Sequence, residues 1–451
     1  MPARRAALDA AEADFAAWTG ADARRKAGSF YASRGIFVEM GDRTGAPMGL
    51  PEGVAAALPG ALGPYLELGL FEAAASRLRM RAWFDRAVGG VGTRAPWRAV
   101  AASFHADRMG VELATPPAAR ELRRLSQTVR DAARAAVDAH LARHGQDVPC
   151  DLDPALARDA LAAAAPIFDE AGVAFANPDV MLLRRPGGGF RPLLGEAHHL
   201  PTLTPCLLVA LGCEDDVVAA TRAHLADLAG DARPALVTSY AHSFISVGVD
   251  VGEIALELSG TAPYPAARRA SFAELEVERT ADGFRVLATT HAGDVVPVAP
   301  FSRVTRLDLV APAFPVGAVD LPTFLGSDWR YATALPRLAW GDLVVHRRRW
   351  RVASKRWANE PTTAGALARL RKAVGPAFPR FTFARADSEP KPLLFDWESP
   401  LSAEMAIWQA KRDEVLVFSE MLPGPGDLWL EGPEGRHTAE VRMVWTRRPA
   451  G

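Results

Sequence analysis

Residues 194–199 read Leu-Gly-Glu-Ala-His-His, which puts one carboxylate and two imidazoles behind a short apolar run. A carboxylate and an imidazole within reach of one substrate can relay a proton, and two imidazoles with a carboxylate can begin a metal site. Side chains alternate along a strand, so Glu196 and His198 would share one face and His199 the other. No third ligand stands at a recognised spacing beside them, so no metal is expected. Lining a reaction cleft and closing the polar end of a strand both remain open for Glu196 and His198. His140 and His144 stand four apart in Asp-Ala-His-Leu-Ala-Arg-His, on one helical face, but no glutamate fills the slot of a helical zinc motif. A solvated helix end is the expectation there. The Gly187-Gly188-Gly189 run lacks the Lys-Ser/Thr of a phosphate loop and leads into a β-like segment, which predicts a hairpin turn. No Gly-x-Ser-x-Gly elbow occurs, and Ser243 and His242, being adjacent, would point to opposite faces of a strand.

The basic segment offers different chemistry. Residues 347–391 hold twelve Lys/Arg against Glu360, Asp387 and Glu389, in a chain whose formal net charge is −1. Trp350 and Trp357 are interleaved with the cations. A strand over 342–352 would put Arg347, Arg349 and Arg351 on one face and His346, Arg348 and Trp350 on the other. Phosphate contacts combined with aromatic stacking are what RNA-binding surfaces use. A charged, solvated sheet edge is the competing reading.

The elements that must position these groups follow from composition and periodicity. With 451 residues, 49% apolar and 23% charged, the chain can bury a sizeable core and is long enough for two to four structural units. A net charge near zero draws it to neither nucleic acid nor membrane except through a local patch. Cys150, Cys206 and Cys213 form no C-x-x-C pair and no disulfide framework, and such usage fits a reducing cytoplasm. The start lacks the apolar core of a signal peptide, and no membrane span is expected. Helices are predicted over 5–27, from Pro51 to about Val88, over 115–145, over 153–165, around 214–230 and over 362–374. A β-like run is predicted at 36–38, and many short ones follow Asn177-Pro178, divided by Gly and Pro. This pattern predicts an α+β fold: a mainly helical part over 1–176 with one early strand, then a mixed, mainly antiparallel β-rich part over 177–451 with inserted helices.

Several segments, in order, resemble the tRNA-dependent glutamylation domain of class I lantibiotic dehydratases. They are Tyr31–Arg43 (a Tyr-x-x-Arg strand before an acidic pair), Asn177–His199 (a Pro-Asp segment and a Leu-Gly-Glu-x-His block) and Leu335–Val352 (a Pro-Arg strand and an Arg-Trp strand). Glu389–Glu404 is similar to the Lys-Pro…Asp-x-x-Ser-Pro stretch, and 419–430 with 439–443 look like the end of that domain. The family's Glu-Asp pair is Glu39-Met40 here, and its front Arg-Pro-Thr-Pro-Phe-Gly-type motif has no counterpart.

The resemblance implies acyl transfer in modified-peptide biosynthesis. Glutamate would pass from charged tRNA, as co-substrate, to Ser or Thr of a precursor peptide, with no other cofactor. Chemistry on an already activated ester needs positioning and proton transfer rather than ATP or metal. The resemblance points to Arg34, Glu39, Glu196 and His198 as catalytic residues, while Arg347, Arg349, Trp350, Arg351 and Lys391 would face RNA. It also implies a partner chain carrying the front half of the domain and a separate elimination protein, with no membrane partner. A non-catalytic subunit that binds leader peptide or tRNA is one alternative. A peptide aminoacyl-tRNA ligase-like enzyme is another.

Overall fold

The computed structural model describes residues 2–25, 33–34, 49–100, 115–171, 173–198, 215–239, 252–259, 264–281, 283–302, 317–318, 334–388, 392–432 and 435–447. They fall into two units, 1–49 and 50–451. In the first, helix α1 (Pro2–Thr19) is shorter than the helix expected through residue 27. Gly20 takes φ 68°, the left-handed conformation that ends helices, and its N–H closes on Ala16 O at 2.9 Å. Strands β1 (Arg24–Arg25) and β2 (Ser33–Arg34) then pair antiparallel, with Arg24 opposite Arg34. The β-like run at 36–38 lies outside the described residues.

The second unit is α+β, as expected. Helices α2 (Val54–Val88), α3 (Pro117–His144) and α4 (Arg158–Ala171) share a core with an eight-stranded sheet. That sheet holds β4 (Cys150–Leu152), β5 (Val173–Arg184), β6 (Phe190–His198), β13 (Gly317–Ala318), β15 (Leu338–Trp340), β16 (Leu343–His346), β23 (Glu440–Arg442) and β24 (Trp445–Thr446). Helix α3 shows why these residues make a helix. Pro117 opens it where a missing N–H costs nothing, and Gly145 closes it at φ 72°. Ala119, Leu122, Leu125, Val129, Ala133 and Val137 form its buried stripe. Helix α2 is long and apolar enough over Val54–Arg79 to cross a membrane, by length and composition alone. Here Leu62, Tyr65, Leu66, Leu68, Leu70 and Phe71 pack in the core, with Tyr65 on Trp340 and Phe71 on Phe168. Because β5 alternates, Val180 and Leu182 join these helices while Met181 and Leu183 pack on the other face with Leu193, Val344 and Leu422. Residues on either side of 177 therefore share one core. The glycine run forms the expected β5–β6 hairpin turn, with Gly188 and Gly189 at φ 93° and 75°.

A seven-stranded sheet runs β3-β10-β11-β12-β7-β8-β9 and mixes parallel with antiparallel pairs. Its strands are β3 (Arg94–Pro96), β7 (Arg233–Ser239), β8 (Ile254–Ser259), β9 (Arg269–Ser271), β10 (Glu276–Thr280), β11 (Gly283–Thr289) and β12 (Val295–Ser302). Helix α5 (Asp215–Ala229) packs its Leu225 on Leu236 and Ala299.

The third sheet is built from β14 (Ala334–Leu335), β17 (Arg349–Ala353), β18 (Phe381–Arg385), β19 (Leu393–Asp396) and β20 (Val415–Glu420), in the order β14-β17-β20-β18-β19. Helices α6 (Thr363–Val374) and α7 (Pro400–Ala410) interrupt it, each capped by a side-chain oxygen, Thr362 and Ser399. Trp350, Val352, Ala384, Phe395, Leu416 and Phe418 share a buried core with Ala366, Leu370, Ala406 and Ile407 of these helices. A short pair, β21 (Leu430–Gly432) and β22 (Gly435–His437), follows.

Candidate functional site

Between β14 and β17 the chain leaves the five-stranded sheet, runs through β15 and β16 of the eight-stranded sheet, and returns. Arg337 lies at the outward crossing, and Arg347 and Arg348 at the return. Glu420, at the end of β20, ties the two crossings together. Its carboxylate accepts from Arg337 Nε and Nη2 at 2.9 and 2.8 Å and from the Arg348 backbone N–H at 2.7 Å. The Glu420 hydrogen bonds hold Arg337 above the usual arginine pKa. Arg348 reaches on to Asp147 Oδ1 at 3.3 Å and lies over the Trp350 ring at 5.1 Å. His346 Nδ1 donates to Arg347 O at 2.6 Å. Burial, then the positive charge of Arg349, lowers its pKa from 6.5 to about 4, so the imidazole is neutral at pH 7.

Arg347 was expected to share a face with Arg349 and Arg351. It does not, because β16 ends at His346 and β17 begins at Arg349. Its guanidinium instead donates twice to Leu422 O, at 2.8 and 3.2 Å, and touches Met181 Sδ. Burial lowers its pKa, opposed by the charges of Glu420 and Glu440. Nearby, Arg442 of β23 grips Asp179 of β5 through two 2.6 Å hydrogen bonds, and Glu440 lies 3.6 Å from the same guanidinium. The charged residues of the Pro-Asp, Pro-Arg, Arg-Trp and closing segments thus pair with one another. Sequence reasoning quoted those segments but did not single out Asp179, Arg337, Glu420 or Arg442. A carboxylate gripped by an arginine fork is an acceptor held in place, as Asp179 and Glu420 are.

Strand register places the other expected residues. His198 lies opposite Asn177, but the β5–β6 ladder shifts between Leu194 and Ala197. Asn177 is 2% exposed, and neither of its amide atoms finds a hydrogen-bond partner among the described residues. Arg34 sits in β2, while Glu39, His199 and Lys391 lie outside the described residues. Arg349 and Arg351 do share the side of β17 away from α6 and α7. On that side Arg351 and Arg385 flank Val417, and Arg349 and Phe383 flank Ser419. Burial, then the charge of Arg351, lowers the Arg349 pKa. Trp350 faces the other way, 2% exposed and 4.8 Å from the Phe378 ring, and has no free face for stacking. His140 Nε2 lies 3.0 Å from Val148 O and its ring 5.0 Å from His144.

No protein-family model matches the chain, and no curated protein matches it. Solved structures do. The TbtB glutamylation domain from thiomuracin biosynthesis, bound to 5'-phosphodesmethylglutamycin, aligns with a TM-score of 0.54 at 18% identity, over 86% of this chain and 50% of that one. A second structure of that domain gives 0.54 at 20% identity with the same coverage. The fold is glutamylation-domain-like. The tRNA-dependent lantibiotic dehydratase MibB from Microbispora sp. 107891 aligns over 66% of this chain and 31% of its own, at 18% identity and a TM-score of 0.49. The chain spans about half the length of the TbtB chains it matches. The glutamylation-domain-like fold agrees with the fold implied by the quoted segments.

Proposed function

We propose that this chain takes part in tRNA-dependent acyl transfer to Ser or Thr of a precursor peptide, together with a partner chain. The observation that carries the reading is the glutamylation-domain-like fold over 86% of the chain. In the reaction a peptide hydroxyl oxygen attacks the aminoacyl ester carbonyl. The new ester forms, and the tRNA ribose oxygen leaves with the proton. The protein has to hold two large substrates in line and relay that proton. Glu196 and His198 are the candidate relay in this reading; Arg34 and Glu39 are separate candidates that rest on the resemblance alone. The basic side of the five-stranded sheet, Arg349 with Arg351, joins Lys391 in holding phosphate. Arg347 and Trp350, engaged inside the protein, are left out of RNA contact.

The test is to incubate the purified chain with glutamyl-tRNA and precursor peptide, with and without a chain supplying the rest of such a domain. A glutamyl mass gain on Ser or Thr is expected when both chains are present. No gain with both present overturns the reading. If tRNA or leader peptide still binds, the chain is a binding subunit. A gain at the peptide C-terminus instead identifies a peptide ligase.

A further inference from the structure

Along α2, residues 77, 81 and 85 recur every four positions and fall on one side of the helix. Asp85 is paired with Arg279 Nε at 2.8 Å, and Arg279 Nη1 also donates to Gly283 O at 2.7 Å. Arg81 Nη1 donates to Glu170 O at 2.5 Å near the end of α4, with the charges of Glu170 and Asp85 in its field. Arg77 differs from both. It is 9% exposed, and among the described residues its Nη1 is buried without a hydrogen-bond partner and the charge that acts on it is that of another cation, Arg81. Burial, then Arg81, lowers the Arg77 pKa to about 9, so it still carries its charge at neutral pH. Removing such a charge from water without an anion costs several kcal/mol.

We propose that Arg77, with Arg81 one turn along, forms an oxyanion site that takes a carboxylate or a phosphate. Two coplanar oxygens match the guanidinium fork, and the second cation adds attraction. The site stands apart from the acyl-transfer reading and is tested without tRNA or peptide.

The measurement is the unfolding temperature of the full chain, titrated separately with inorganic phosphate and with glutamate at constant ionic strength set by chloride. The wild type should rise with at least one of them as the bound state is populated. Arg77→Met should be more stable than wild type without anion and should lose the response, with affinity down by about tenfold or more. Arg77→Lys, which keeps the charge but not the fork, should respond weakly. A response to phosphate but not glutamate assigns phosphate, and the reverse assigns carboxylate. A wild-type response no larger than that of Arg77→Met overturns the site. Should Arg77→Met fail to fold, Arg81→Gln serves, and an undiminished response there overturns the paired site.

Discussion

Arg442 grips Asp179 with two hydrogen bonds of 2.6 Å, across 263 residues of sequence. Asp179 is 2% exposed, so the carboxylate end of this pair is buried. Arg442→Met removes both hydrogen bonds from a buried carboxylate and should lower the unfolding free energy by about 3–5 kcal/mol. The double variant Asp179→Leu with Arg442→Met should recover much of that loss, because the buried carboxylate goes with its partner. Urea unfolding of the four proteins decides. Strictly additive effects would mean the pair is not coupled.

Gly195 lies beside that pair. A Cβ there would sit 3.2 Å from Asp179 O and 3.6 Å from Glu440 Oε2. Gly195→Ala should therefore destabilise the chain by about 1 kcal/mol, as the strand backbone is pushed from its neighbour. An unchanged urea midpoint would show that the ladder absorbs the methyl group.

His346 gives the chain a specific acid sensitivity. Its folded pKa, about 4, lies below its ordinary 6.5, so between these values the unfolded chain binds the proton and the folded chain does not. Stability therefore rises with pH through this window and falls on acidification, by on the order of 3 kcal/mol in full. His346→Gln should flatten that part of the stability profile between pH 6.5 and 4. A variant profile parallel to wild type would place the acid sensitivity elsewhere.

The two halves of the arginine run should separate by assay. Arg349→Gln with Arg351→Gln should weaken tRNA binding and make the log–log salt dependence shallower by roughly 0.7–0.9 for each phosphate no longer neutralised. The urea midpoint should stay near wild type. Arg347→Met should do the reverse, destabilising the fold through Leu422 O while leaving the salt slope alone. Equal effects of both variants on RNA affinity would remove the distinction.

Much of the fold was legible because its signals are local. The stripe of α3, the cap of α6 and the glycine hairpin each depend on residues a few positions apart, where helix and turn geometry set the rules. The candidate site was legible only as a set of segments. Alternation put Arg347 with Arg349 and Arg351, but the chain crosses between sheets at Arg347 and Arg348, and alternation does not survive a crossing. The β5–β6 ladder also shifts between Leu194 and Ala197, a step that the sequence does not mark. Composition offered Trp350 as a stacking surface, whereas β17 turns it onto Phe378.

By itself, then, the sequence determined the helices, the hairpin, the α+β class and the order of the segments that resemble a glutamylation domain. Tertiary structure alone decided which charges meet: Asp179 with Arg442, Glu420 with Arg337, Arg347 with Leu422 O, and Arg77 with no counter-ion among the described residues. The reason is physical. Hydrophobic periodicity is written in neighbouring residues, whereas a buried ion pair joins positions that only the packing of sheets brings together, and a one-dimensional pattern holds no measure of that distance.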